Sequence, residues 1–76
     1  MYELNLDNLG DLGLLNQKQY ATSLGLSIDY INKVFNNKLA VKLNNAKAMI
    51  SLAYNISVRD SEQMLELLDK HFTKVK

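Results

Sequence analysis

The chain has no cysteine and no proline, and only one of its 76 residues is a histidine. Without cysteine there can be no disulfide and no thiolate chemistry, so packing alone must hold the fold. Without proline, and with no tract rich in glycine or serine, nothing marks a linker, and residues 1–76 read as one domain. No apolar run is long enough to cross a bilayer, and the opening MYELNLDN lacks the basic stretch of a signal peptide. The expected compartment is therefore the cytoplasm, with no membrane partner. His71 has no acid–base partner that spacing identifies, and potential metal ligands do not cluster. Neither catalysis nor a metal or other cofactor is expected.

What is present suits a small globular domain. Hydrophobic residues make up 47% of the chain, enough for a modest core. The net charge of +1 conceals an uneven distribution. Residues 1–15 carry Glu3, Asp7 and Asp11 with no cation. Residues 16–47 carry Lys18, Lys33, Lys38, Lys42 and Lys47 against Asp29 alone, and the remainder balances. All the surplus positive charge thus sits in one middle segment.

That segment includes QKQYATSLGLSIDYINKV, residues 17–34, in which two amphipathic patterns are broken by Gly25. An interior helical glycine costs about 1 kcal/mol relative to alanine, so the chain is expected to turn there. Asn16 reads as an N-cap with Gln19 returning a bond, Tyr20, Ala21 and Leu24 as the buried stripe, and Gly25 as a left-handed terminator. Ser27 caps the next helix, whose Ile31, Val34 and Phe35 face inward while Asp29, Asn32, Lys33 and Asn36 face out.

Around this pair the spacing gives three more helices and no strand. A short first helix spans 5–12, weakened by Gly10. A fourth spans roughly 41–54, with Leu43, Ala46, Ile50 and Ala53 buried and Asn55 ending it. A fifth runs from about 57 to 72, started by SVRD, with Val58, Leu65, Leu68 and Phe72 in one stripe. His71 falls near its end, where a cation is welcome. The fold class expected is compact, all-α and five-helix.

Two helices joined by a tight glycine turn suggest a helix-turn-helix, at residues 16–37. From Leu15 to Lys38 the chain resembles the Cro and CI-type (XRE-like) phage repressor family. Gln17 opens the second helix, Ala21 is small at the helix crossing, Gly25 makes the turn, Leu26 and Ser27 lead on, and Ile31 and Val34 anchor the third helix. NNK at Asn36 to Lys38 and the later AYNIS also resemble the family pattern. The first helix departs from it, being short and interrupted by glycine.

The resemblance implies a lambda-repressor-like domain that regulates transcription, as from a phage or another mobile element. It would bind double-stranded operator DNA as a homodimer, through the helix from Ile28 to Asn36. Base edges would be read by Ile28, Asp29, Asn32 and Lys33, while Gln17, Asn36, Asn37, Lys38 and Lys42 would hold the phosphate backbone. Ile28 can meet a thymine methyl group and Asp29 can accept from a cytosine amino group, although Asp29 also repels phosphate. The apolar residues Met64, Leu67, Phe72 and Val75 are the expected dimer interface. The alternative is an antirepressor that uses the same face, with Ile28 as anchor and Asp29 as acid, to cover a repressor's basic DNA-binding domain.

Overall fold

Residues from opposite ends of the sequence lie side by side. In the computed structural model, which describes residues 1–75, strand β1 (Tyr2–Leu4) pairs antiparallel with strand β2 (Phe72–Lys74), placing Leu4 opposite Phe72. The other edge of β1 is closed by an isolated bridge in which Tyr2 and Val41 exchange two backbone hydrogen bonds of 2.7 Å. Between the strands come two 3-10 turns, Leu6–Asn8 and Gly10–Leu14, then α1 (Gln17–Leu24), α2 (Ile28–Phe35), α3 (Leu43–Tyr54) and α4 (Glu62–His71). The core collects residues from nearly every element, among them Leu4, Leu12, Tyr20, Ile31, Val34, Val41, Ile50, Met64 and Phe72.

The molecule is mostly helical, but among the described residues it has four α-helices rather than five, together with a small two-stranded sheet where no strand was expected. The expected helix over 5–12 is replaced by the two 3-10 turns, because Gly10 adopts φ +51°, outside the right-handed helical region. Crowding reinforces that choice: a Cβ on Gly10 would stand 2.8 Å from His71 Cε1 and 2.9 Å from the Tyr54 hydroxyl. The strands carry no local sequence signal, because each is three residues long and its partner lies at the far end of the chain.

The last helix begins later than 57. Ser57 Oγ accepts from the Arg59 amide, a local turn that competes with helix, and Ser61 is the actual N-cap, accepting from Met64 N–H at 3.1 Å. Val58 is consequently exposed, and so is Leu65. Met64 and Phe72, expected at a dimer interface, are core residues and cannot serve there. In α3, Leu43 in the first turn is exposed while Met49 is buried with Ala46 and Ile50, and Asn55 ends the helix at φ +55° as anticipated.

His71 is not solvated at a helix end. It is fully buried, with Nδ1 2.6 Å from the Asn8 carbonyl and Nε2 2.6 Å from the Tyr54 hydroxyl, whose ring stacks on the imidazole. A carbonyl can only accept, so Nδ1 donates to Asn8, and in the neutral ring Nε2 accepts from Tyr54. The Tyr54 oxygen in turn accepts from Asp11 N–H at 3.4 Å. This seam ties the N-terminal turns to α3 and α4. It sets the frame on which α1 and α2 are carried. Among the described residues no helix is long and apolar enough to cross a membrane.

Candidate nucleic-acid interface

The α1–α2 pair is built from local signals that agree with one another. Asn16 Oδ1 accepts from Gln19 N–H and Gln19 Oε1 accepts from Asn16 N–H, both at 2.8 Å, a complete capping box. Gly25 closes α1 at φ +69°, and its N–H, like that of Leu26, donates to the Ala21 carbonyl. Nothing lies within 4 Å of where a Gly25 Cβ would be. Backbone conformation, not space, therefore selects glycine there. Ser27 Oγ then accepts from Tyr30 N–H at 3.0 Å and starts α2.

Packing fixes which side of α2 faces outward. Ile31 and Val34 are fully buried, and Phe35 sits beside the Tyr20 ring at 5.5 Å between centroids. Tyr20 is itself buried and donates to the Leu12 carbonyl at 2.7 Å; burial, and then the neighbouring Tyr54, push its phenol above the usual tyrosine range. With that side anchored, Ile28, Asp29, Asn32, Lys33 and Asn36 are all exposed, as expected. Ile28 is 56% exposed and does not tuck against the core.

The polar groups on this face engage each other. Asn32 Nδ2 donates to Gln17 Oε1 at 3.1 Å, and Asn36 Nδ2 donates to both the Asn32 carbonyl at 2.8 Å and its Oδ1 at 3.1 Å. Gln17 on α1 is thus linked to the middle of α2 by side-chain amides. Each amide keeps spare capacity: Gln17 retains its NH2, Asn36 its oxygen, and Asn32 one N–H and one lone pair. Lys33 pairs with Asp29 at 3.3 Å across one helical turn, so the charges on the face nearly cancel. This exposed pair adds little stability.

The cationic residues that follow divide into different environments. Asn37 takes φ +56° and ends α2 in a Schellman arrangement, with Lys38 N–H donating to Lys33 O at 2.9 Å and Asn37 N–H to Val34 O at 3.2 Å. Its side chain also lines a groove with Glu3 and Asp7, so its plain role is to stop the helix. Asparagine after a helical run was the available signal. Lys38 and Lys42 are exposed, whereas Lys47 is largely covered and paired with Asp60.

Lys42 is the N-cap residue of α3 and supplies no side-chain hydrogen bond to it. Lysine there also sets a cation at the positive end of the helix dipole, which is locally unfavourable. An anion docked at that end would reverse the sign of both effects. Among the described residues no group of three His, Cys, Asp or Glu side chains could hold a metal ion. Comparison of the chain with protein-family models, with curated proteins and with solved structures finds no match.

Proposed function

We propose that α1 and α2 act as a helix-turn-helix and that the chain is a small transcriptional regulator of the Cro-like type, as from a phage or another mobile element. It binds double-stranded operator DNA with α2 in the major groove. The observation that carries this reading is the outward row of α2, where Asn32 holds one free N–H and one free lone pair in a fixed amide. Such a pair matches the N7 and N6 edge of adenine. Ile28, exposed beside it, suits a thymine methyl group. Gln17, Lys38 and Lys42, with the open amides at the start of α3, meet phosphates and set the register without reading sequence.

The test is a gel shift with DNA neighbouring the gene, followed by substitution. Lys38→Ala and Lys42→Ala weaken binding to all sequences about equally, while Asn32→Ala mainly relaxes preference at one base position, by roughly 1–3 kcal/mol of discrimination. The logarithm of affinity falls with that of salt at a slope of about −3 to −4 per monomer, for about four phosphates neutralised. No binding at low salt rejects the reading.

One observation favours a second reading. The face joins an exposed isoleucine to an Asp29–Lys33 pair that leaves little net positive charge. Those properties suit an antirepressor that covers the basic DNA-binding domain of a repressor. Asp29→Asn separates the two. It strengthens non-specific DNA affinity if α2 lies near phosphates, and it weakens the complex if α2 lies on a basic protein.

A further inference from the structure

The first turns of α2 and α3 are joined through their side chains. Asn45 Nδ2 donates to the Tyr30 hydroxyl at 3.4 Å, and among the described residues no other side-chain hydrogen bond runs between these two helices. Both partners stand at the third position of their helix, after the N-cap residues Ser27 and Lys42. Gln19 holds the equivalent place in α1 and turns back to its own cap at Asn16. Asn45 instead reaches across, although Lys42 leaves the start of α3 without a side-chain cap. The Tyr30 ring packs, half-buried, against the core, a task that phenylalanine would perform equally. What the hydroxyl adds is the link to α3.

We infer that Tyr30 is a positioning residue, and that its link to Asn45 sets the distance between the phosphate held at the start of α3 and the bases met by the first turn of α2. This deepens the DNA-binding reading and rests on it. The rest of α2 is held from elsewhere: Ile31 and Val34 are sunk in the core, Asn32 is tied to Gln17 of α1, and Asn37 closes the far end. Ile28 and Asp29 are exposed, and Asp29 pairs within α2, with Lys33. Their turn takes its place relative to α3 from Tyr30. A phosphate docked on the open amides of α3 anchors that helix to the DNA backbone but reads no sequence. Contacts to base edges depend on direction and distance, so they tolerate little displacement. The link thus converts backbone anchoring into a defined depth and register for Ile28 and Asp29.

Operator DNA and its single-base variants, titrated with the full chain at several salt concentrations, test this, with Ile28→Ala marking the base position met by the first turn of α2. Tyr30→Phe and Asn45→Leu should each lower discrimination at that position about threefold to tenfold, the range that one hydrogen bond supports, and the double variant should lose no more than either alone. Discrimination at the position marked by Asn32→Ala should not change, nor should the salt slope. Asn45→Asp, whose carboxylate accepts from the Tyr30 hydroxyl, should keep the preference while its charge lowers affinity for every sequence. In the free chain, Tyr30→Phe should shift the Asn45 side-chain NH2 resonances. Unmoved resonances overturn the proposal, as does an equal loss at every base position, which marks a merely structural tyrosine. A salt slope reduced by about one in Tyr30→Phe also overturns it, because the hydroxyl is then itself a phosphate ligand. DNA binding whose preference survives Tyr30→Phe intact rejects this proposal alone. Shifted resonances in a chain that binds no DNA reject the DNA-binding reading, and the positioning role with it, while the link between α2 and α3 stands.

Discussion

Two polar clusters in this small chain are built to different specifications. Where Asn8, Tyr54 and His71 meet, the imidazole is wholly enclosed, both ring nitrogens are engaged at 2.6 Å, and Gly10 is held against them with no room for a Cβ. On the outer face of α2, Gln17, Asn32 and Asn36 are also hydrogen-bonded to one another, but in the open and with donors and acceptors left over. Among the described residues no buried side-chain nitrogen or oxygen lacks a partner. Complete internal pairing gives a rigid junction. Incomplete pairing on a rigid support gives a surface that can accept a second molecule.

The comparison is broken most directly at the junction. His71→Ala removes a buried ring and strands the Tyr54 hydroxyl and Asn8 carbonyl, at an expected cost of roughly 3–5 kcal/mol in urea unfolding. A cost below about 1 kcal/mol would show that the seam is not a structural junction.

The two left-handed glycines sharpen it next. Gly10→Ala meets both the φ strain and the His71 and Tyr54 contacts, and should cost about 2–4 kcal/mol. Gly25→Ala meets the strain alone, about 1–2 kcal/mol, with Gly25→Val costing more. Equal melting temperatures for the two alanine variants would contradict the difference in crowding.

Tyr20 probes the core beneath α1 and α2. Tyr20→Phe loses a buried hydrogen bond to Leu12 and should cost about 1–2 kcal/mol. Because the folded state raises the phenol above its ordinary value near 10, its contribution is intact below about pH 10. It is lost as pH rises beyond that, at up to about 1.4 kcal/mol per unit. Chemical denaturation across alkaline pH should show a shallower fall for Tyr20→Phe than for the native chain.

The smallest effect carries opposite signs in two assays. Lys42→Ser supplies the missing cap of α3 and should raise stability by about 1 kcal/mol. The same change removes a phosphate contact and should lower affinity for every DNA sequence alike. Stability and binding falling together would mean that Lys42 has a structural role.

The same contrast explains what could be read from the sequence. The α1–α2 pair was legible residue by residue, since Asn16, Gln19, Gly25 and Ser27 act within a few positions of themselves and Ile31 and Val34 repeat at helical spacing. The outward set of Ile28, Asp29, Asn32, Lys33 and Asn36 followed from that geometry. The amide link from Gln17 to Asn32 did not, because it crosses between helices. The first helix, the start of the last one and both strands were misread. For the first helix and the strands the deciding contacts, Gly10 against His71 and Leu4 against Phe72, join positions that no local window contains; for the last helix two local serine caps competed, and Ser61 rather than Ser57 won.

That long-range closure has a consequence in time. During synthesis α1 and α2 have all their capping residues and one another as soon as Asn37 and Lys38 emerge. β1 is made before α1 and α2, yet its ladder partner arrives only with Phe72 to Lys74. The Asn8 carbonyl likewise waits for His71. A nascent chain lacking α4 would hold the helix pair over an unfinished floor, with Leu4 and Leu12 unable to complete their burial. Vectorial synthesis therefore presents the exposed α2 face before the junction that steadies it, and α4 with β2 brings the contacts that close the fold.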